Sequence, residues 1–190
     1  MEKRNRFIVV LIALAIIGTL IYNFAVSKEQ GSPTTSKKAL CEGPVGIKPG
    51  NCAPNFITQS LKGEKKELYE TNGKPTYINF WASWCGPCKS EAPDIQKMYQ
   101  AHRDDVNFVL LNLTSGDDIE DIQGFVMNYK LTMPIYLDQP KQNEKGIAAQ
   151  YQISGVPTQV LVDAKGKILY YQPGPIDEQK FARLKKQYLN

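Results

Sequence analysis

Hydrophobic and polar positions along most of this chain switch repeatedly between a strand-like and a helix-like period. Residues 76–82 (TYINFWA) gather β-branched and aromatic side chains after an Asn72-Gly73 turn signal, which predicts a strand. Across 88–102, Ala92, Ile95, Met98 and Tyr99 recur close to helical spacing. Residues 106–113 (VNFVLLNL) form a nearly continuous apolar run, as expected of a strand buried on both faces. Residues 117–129 place Ile119, Ile122, Val126 and Tyr129 on one helical stripe, with Thr114 or Ser115 available as a cap. A short strand is predicted at 134–137 and a short helix at 144–151. Residues 158–162 and 167–171 flank Asp163-Ala164-Lys165-Gly166 as the arms of a hairpin. An amphipathic helix over 177–189 turns Phe181, Leu184 and Tyr188 inward. Strands alternating with helices predict a layered α/β domain whose sheet is covered on both faces.

The first forty residues follow neither pattern. Met1-Glu2-Lys3-Arg4-Asn5-Arg6 precedes an uncharged run over 7–26. At about 1.5 Å per residue, that run spans roughly the 30 Å hydrocarbon core of a bilayer. A cleaved signal peptide also starts with positive charge, but its apolar stretch covers about 7–15 residues and ends at an A-x-A-like site. Here the run is longer, its edge reads Tyr22-Asn23-Phe24-Ala25-Val26-Ser27, and no cysteine there could take a lipid. The expectation is a single uncleaved transmembrane helix over 7–26. Lys3, Arg4 and Arg6 keep residues 1–6 in the cytoplasm, and everything beyond Val26 lies outside the cell membrane. Residues 27–39, small, polar and turn-forming, are too poor in apolar groups to fold and read as a flexible tether. Compact sequence resumes near Leu40, which gives one domain over 40–190.

Composition narrows the partners. With 42% hydrophobic and 22% charged residues, a chain of 190 residues has enough apolar material for one ordinary core plus the appendage. The net charge of +4 is concentrated partly in Lys3-Arg4-Arg6 and Arg183-Lys185-Lys186. No interior basic cluster is interleaved with aromatics, which argues against nucleic acid as a partner. The domain shows no sustained heptads, so a monomer is expected. The single histidine, His102, falls near a predicted helix end, where a cation interacts favourably with the helix dipole.

The candidate chemistry lies in Trp81-Ala82-Ser83-Trp84-Cys85-Gly86-Pro87-Cys88-Lys89. A C-x-x-C at a strand-to-helix junction puts its first cysteine at the helix N-terminus, where unpaired N–H groups and the dipole favour a thiolate. Pro87 suits an early helical position because no N–H is needed there. The chemistry implied is exchange through a mixed disulfide, with Cys85 as nucleophile and Cys88 as the resolving thiol. Run backwards, the same steps oxidise a substrate. Three other readings compete. A zinc site lacks a second C-x-x-C or C/H pair, so no metal is expected. A purely structural bridge over so short a loop gains little from loop closure. A c-type haem attachment site would need a histidine where Lys89 stands. No cofactor is implied.

These nine residues resemble the thioredoxin active-site segment, and Gly155-Val156-Pro157-Thr158 resembles the loop that carries that family's active-site proline. More closely, the chain is similar to the TlpA/ResA-like branch of membrane-anchored thiol–disulfide oxidoreductases of the thioredoxin superfamily. The likeness runs from about Gly50 to the C-terminus and takes in Ala53-Pro54-Asn55-Phe56, Pro93 and the stretch 115–151. It implies a thioredoxin-like α/β fold, a mixed central sheet with helices on both faces, in which 115–151 is a β–α insertion. It implies a cis peptide before Pro157 beside Cys85, leaving the Val156 backbone to meet an extended substrate. Trp84 is expected to shield the pair and contact substrate, and Trp81 to lie in the core. Thioredoxin carries a buried aspartate six positions before its first cysteine; Asn79 stands there and cannot titrate, so that proton relay does not transfer. Glu91 matches a glutamate that ResA-like proteins hold beside the pair, and an acid there could exchange a proton with Cys88. The competing reading of Glu91 is an ordinary surface residue of the helix.

Cys41 and Cys52 frame a turn-rich stretch ahead of this shared region. A structural disulfide is the simplest account, worth about 3 kcal/mol by loop closure; an auxiliary redox pair that exchanges with Cys85–Cys88 is the alternative. The resemblance implies a protein-disulfide reductase acting on exported proteins such as apocytochrome c, with a membrane redox protein as electron donor. A disulfide-forming oxidase or isomerase is the alternative. A peroxiredoxin-like peroxidase would need a polar P-x-x-x-[TS]-x-x-C setting, and Cys85 follows Ala82-Ser83-Trp84 instead. A non-catalytic binding module on the same scaffold also stays open.

Overall fold

The computed structural model describes residues 40–140 and 143–189, together with Ile17 and Thr19. The expected cytoplasmic N-terminus (1–6), anchor (7–26) and tether (27–39) lie outside the described residues, Ile17 and Thr19 apart. Among the described residues, no helix is long and apolar enough to cross a membrane.

From Leu40 the chain runs through a disulfide-closed loop into β1 (Ile57–Ser60) and β2 (Lys65–Glu67), then β3 (Thr76–Trp81) and helix α1 (Gly86–His102). Strand β4 (Asn107–Asn112), a 3-10 turn (Thr114–Gly116), α2 (Ile119–Asn128), β5 (Ile135–Leu137) and the short α3 (Ile147–Gln150) follow. The chain closes with β6 (Thr158–Val162), β7 (Ile168–Pro173) and α4 (Glu178–Tyr188). The strands form one sheet in the order β2-β1-β5-β4-β3-β6-β7. Strand β4 runs parallel to β3 and β5, while the remaining neighbours pair antiparallel. This mixed sheet is the thioredoxin-like arrangement that the resemblance implied, and 115–151 contributes α2, β5 and α3.

Alternation along the central strands sorts two cores. Tyr77 and Trp81 of β3, with Phe108 and Leu110 of β4, meet α1, α2 and α4. Ile78, Phe80, Val109 and Leu111 point to the other face, against α3 and the segment around Phe56. Both faces are apolar, which is why the two strands read as continuous hydrophobic runs. The Asn72-Gly73 turn enters β3: both residues have positive φ, and Lys74 N–H closes it on Thr71 O at 3.0 Å.

Three local expectations change. Thr114 and Ser115 do not cap α2; they form the 3-10 turn, and Asp118 takes the N-cap position without a side-chain bond. Ile119 is consequently left exposed, and Ile122 and Phe125 carry the buried face of α2. Helix α3 is shorter than the pattern over 144–151, beginning where Asp138 accepts hydrogen bonds from Ile147 N–H (2.7 Å) and Ala148 N–H (2.8 Å). Hairpin β1–β2 lies where the pattern predicts no element. Its reason is an inverted pattern, with Ile57 68% exposed and Thr58 and Ser60 buried. Thr58 Oγ1 donates to Leu137 O at 2.7 Å, and Ser60 Oγ accepts from Lys62 and Glu64 N–H groups, so the buried hydroxyls are satisfied.

Candidate active site

Strand β3 delivers the chain to the start of α1, and Cys85 occupies the helix N-cap. Its Sγ accepts the Cys88 N–H at 3.2 Å, one of the donors that a helix start leaves without an intrahelical partner. Helix α1 begins two residues earlier than the apolar pattern indicates, because Gly86 and Pro87 fill its first two positions. Cys85 and Cys88 are joined as a disulfide and both are buried.

Around Cys85 the fold assembles a rim. The Val156–Pro157 peptide is cis, and Val156 O lies 3.5 Å from Cys85 Sγ. Trp84 is 61% exposed, with its indole N–H donating to Gly116 O at 2.7 Å. Trp81 instead sits in the core, its ring 4.5 Å from that of Phe125.

Behind Cys88 lies Glu91, only 3% exposed, which removes the surface reading of this residue. Glu91 Oε1 accepts from Asn79 Nδ2 at 2.8 Å. Its Oε2 accepts from Gln159 Nε2 at 3.0 Å and from Ile176 N–H at 2.9 Å. Burial pushes the carboxyl from 4.5 up to about 7, against the pull of those three donors and of Lys180. A cavity of about 10 Å³ is lined by Cys88, Glu91, Asn79 and Trp81 among others, so the Cys88 sulfur and the carboxyl border one small space.

The active-site loop is held from the side by the 3-10 turn. Asp117 accepts from Ser83 N–H (2.6 Å), Ser83 Oγ–H (2.5 Å) and Asn112 Nδ2 (2.7 Å). Sequence reasoning missed Ser83, Asp117, Tyr77 and Gln159. Its one signal for the buried network was Asn79 in the place of a family aspartate, which marked the position without revealing its partners.

The second cysteine pair lies elsewhere. Cys41 and Cys52 form a disulfide beside the β6–β7 turn, where Cys52 bridges to Lys167 and Ala53 N–H bonds Gly166 O at 2.9 Å. His102 packs its ring 5.4 Å from that of Phe181, and Lys185 Nζ donates to its Nδ1 at 3.2 Å. Burial, then the charge of Lys185, lowers its pKa, which works against the cationic form that would favour the helix end. Among the described residues, no three His, Cys, Asp or Glu side chains come together as a metal-holding group.

Comparison with known proteins agrees with this geometry. The AhpC/TSA family matches residues 49–171, a span that holds the cysteine pair, the insertion and the cis-proline loop. Thioredoxin-like protein YneN of Bacillus subtilis is 39% identical over 125 residues, covering 65% of this chain and 71% of that protein. Thiol-disulfide oxidoreductase ResA of the same organism is 29% identical over 181 residues, covering 93% of this chain and 89% of that one. The crystal structure of StoA from Bacillus subtilis matches with a TM-score of 0.61 and 32% identity, over 72% of this chain and 99% of that one. The chain belongs to the AhpC/TSA family and is a thioredoxin-like thiol–disulfide oxidoreductase similar to ResA and StoA.

Proposed function

We infer that this chain is a reductase tethered to the outer face of the cell membrane, delivering electrons to disulfides of exported proteins, apocytochrome c among them. A membrane redox protein returns its active site to the dithiol. The observation that carries the reading is the asymmetry of the two sulfurs. Cys85 faces the rim made by Trp84, Val156 and Pro157, whereas Cys88 shares its cavity with a buried carboxyl.

In the reducing direction, the Cys85 thiolate attacks one sulfur of a substrate disulfide. A mixed disulfide forms, and the other substrate sulfur leaves as a thiolate that takes up a proton. Cys88 then gives its proton to ionised Glu91, and its thiolate attacks Cys85 Sγ. The Cys85–Cys88 bond forms as the second substrate sulfur departs, so two electrons pass from enzyme to substrate. A carboxyl near 7 suits this work, since it is part ionised and part protonated near neutral pH. Trp84 and the Val156 backbone are assigned to substrate contact beside Pro157.

The Cys41–Cys52 bridge is assigned a structural role. It lies at the turn end of β6, while Val156 and Pro157 meet Cys85 at the opposite end. The intervening strand separates the two pairs by roughly 20 Å, too far for direct exchange. Membrane tethering rests on the uncharged run over 7–26 behind Lys3, Arg4 and Arg6.

The test is the redox state of each pair in intact cells, acid-quenched, alkylated and read by mass shift from the membrane fraction. The expected result is a mostly reduced Cys85–Cys88 pair beside an oxidised Cys41–Cys52 pair. A mostly oxidised active-site pair would move the assignment to a disulfide-forming oxidase, and recovery in the soluble fraction would remove the tether.

A further inference from the structure

Gln159, fully buried on β6, is fully engaged in hydrogen bonding, and one of its bonds reaches the active-site carboxyl. Its orientation follows from chemistry alone. Gly174 O, 3.1 Å away, can only accept, so Nε2 must face it, and the second Nε2 hydrogen goes to Glu91 Oε2. Oε1 therefore accepts, from Tyr77 OH and from Asn79 Nδ2. Asn79 in turn must present its amide nitrogen, which also donates to Glu91 Oε1. One backbone carbonyl thus dictates the donor pattern of three side chains.

The consequence falls on Glu91. Each carboxylate oxygen has two lone pairs. Oε2 spends both, on Gln159 and on Ile176 N–H, whereas Oε1 spends one, on Asn79. We propose that Gln159 is a positioning residue of the exchange reaction, occupying Glu91 Oε2 so that the proton leaving Cys88 is taken at Oε1. This rests on the assignment of Glu91 as that proton's acceptor. An ordinary buried glutamine would be satisfied by any partners; this one donates to the ionisable group itself and is held there by Gly174, Tyr77 and Asn79. The titratable or charged groups that face Glu91 are Tyr77 from β3, Cys88 from its own helix and Lys180 from α4, while Tyr170 of β7 reaches Tyr77. Tyr77 is held far above its ordinary range by burial, so it remains a donor throughout.

The test uses the full-length chain in detergent. The Glu91 side-chain carboxyl is followed by carbon NMR against pH in the oxidised protein, and the resolving step is timed against pH in single-turnover reduction of a disulfide-bonded peptide. Gln159→Met is expected to move the Glu91 midpoint upward by about one pH unit, the value of a lost hydrogen bond to an ionised group. The pH limb of the resolving step should move with it. A merely structural role would lower the melting temperature and leave the midpoint in place, which would overturn the proposal. Glu91→Gln separates the two layers. If the limb persists unchanged in Glu91→Gln, the acceptor assignment fails. If Glu91→Gln abolishes the limb but folded Gln159→Met leaves the carboxyl midpoint where it was, only the role of Gln159 fails. Should Gln159→Met not fold, the Gln159 side-chain amide resonance decides in the unsubstituted protein. It should titrate with the Glu91 midpoint and lose that titration in Glu91→Gln; a resonance that does not titrate overturns the proposal.

Discussion

A buried carboxyl raised from 4.5 to about 7 leaves a mark on stability as well as on chemistry. Between those two values the folded chain keeps a proton that the unfolded chain has released, so stability falls as pH rises through that window. The contribution is fully present below about pH 4.5 and lost above about pH 7, a difference of about 3 kcal/mol. Replacing Glu91 with Gln is expected to flatten this part of the stability profile. Urea unfolding of both oxidised proteins at pH 4.5 and 7.5 measures it, and an unchanged slope against pH would show that Glu91 titrates normally. At this scale the sequence was informative wherever a motif names an atom. Cys85, Cys88 and Pro157 were legible because their spacing and neighbours are specific. Glu91 was legible as a position, but its burial was not, since a glutamate one turn after a cysteine looks the same on either face of a helix. Gln159 carried no signal, because its four partners come from distant segments of the chain.

Among elements, the active-site loop owes its position to a turn from the insertion. Asp117 takes three hydrogen bonds from Ser83 and Asn112, while Trp84 is anchored on Gly116 O. Asp117→Ala would strand three buried donors, and a loss of about 2 to 3 kcal/mol in stability is expected. Urea unfolding checks the stability, and peptide-disulfide reduction should slow as the Trp84 side of the rim loosens. Full stability in Asp117→Ala would mean that water replaces the carboxylate at no cost. The same contact explains why Thr114 and Ser115 were misread as caps. Asp117 turns inward to Ser83, the chain before α2 tightens into a 3-10 turn, and the helix starts only at Ile119. Period and capping rules see neighbours along the chain, whereas this boundary is set by a loop more than thirty residues away. Hairpin β1–β2 escaped for a related reason, since its inward positions are hydroxyls satisfied across the sheet.

Over the whole molecule, the layered α/β order was legible because central strands and amphipathic helices bury large apolar faces. The attachment of residues 40–53 was not, because it depends on backbone pairing. Gly50 N–H bonds Ile168 O, Ile168 N–H bonds Asn51 O, and Ala53 N–H bonds Gly166 O, while the Cys41–Cys52 bridge closes the loop that makes these bonds. Cys41→Ala with Cys52→Ala is expected to lower stability by about 3 kcal/mol while peptide-disulfide reduction continues at its usual rate. A reaction rate that falls at matched folded fraction would return this pair to the catalytic cycle. Two disulfides at opposite ends of one strand also have different life histories. The bridge beside the hairpin turn, in the structural role proposed for it, is set once as the domain folds and then kept. The pair beside Val156, as the proposed site of exchange, opens and closes with each substrate. A protein working in the way proposed needs an oxidant once, while it is being made, and a reductant for as long as it works, and a cell that lost the first supply would show it only in newly made copies.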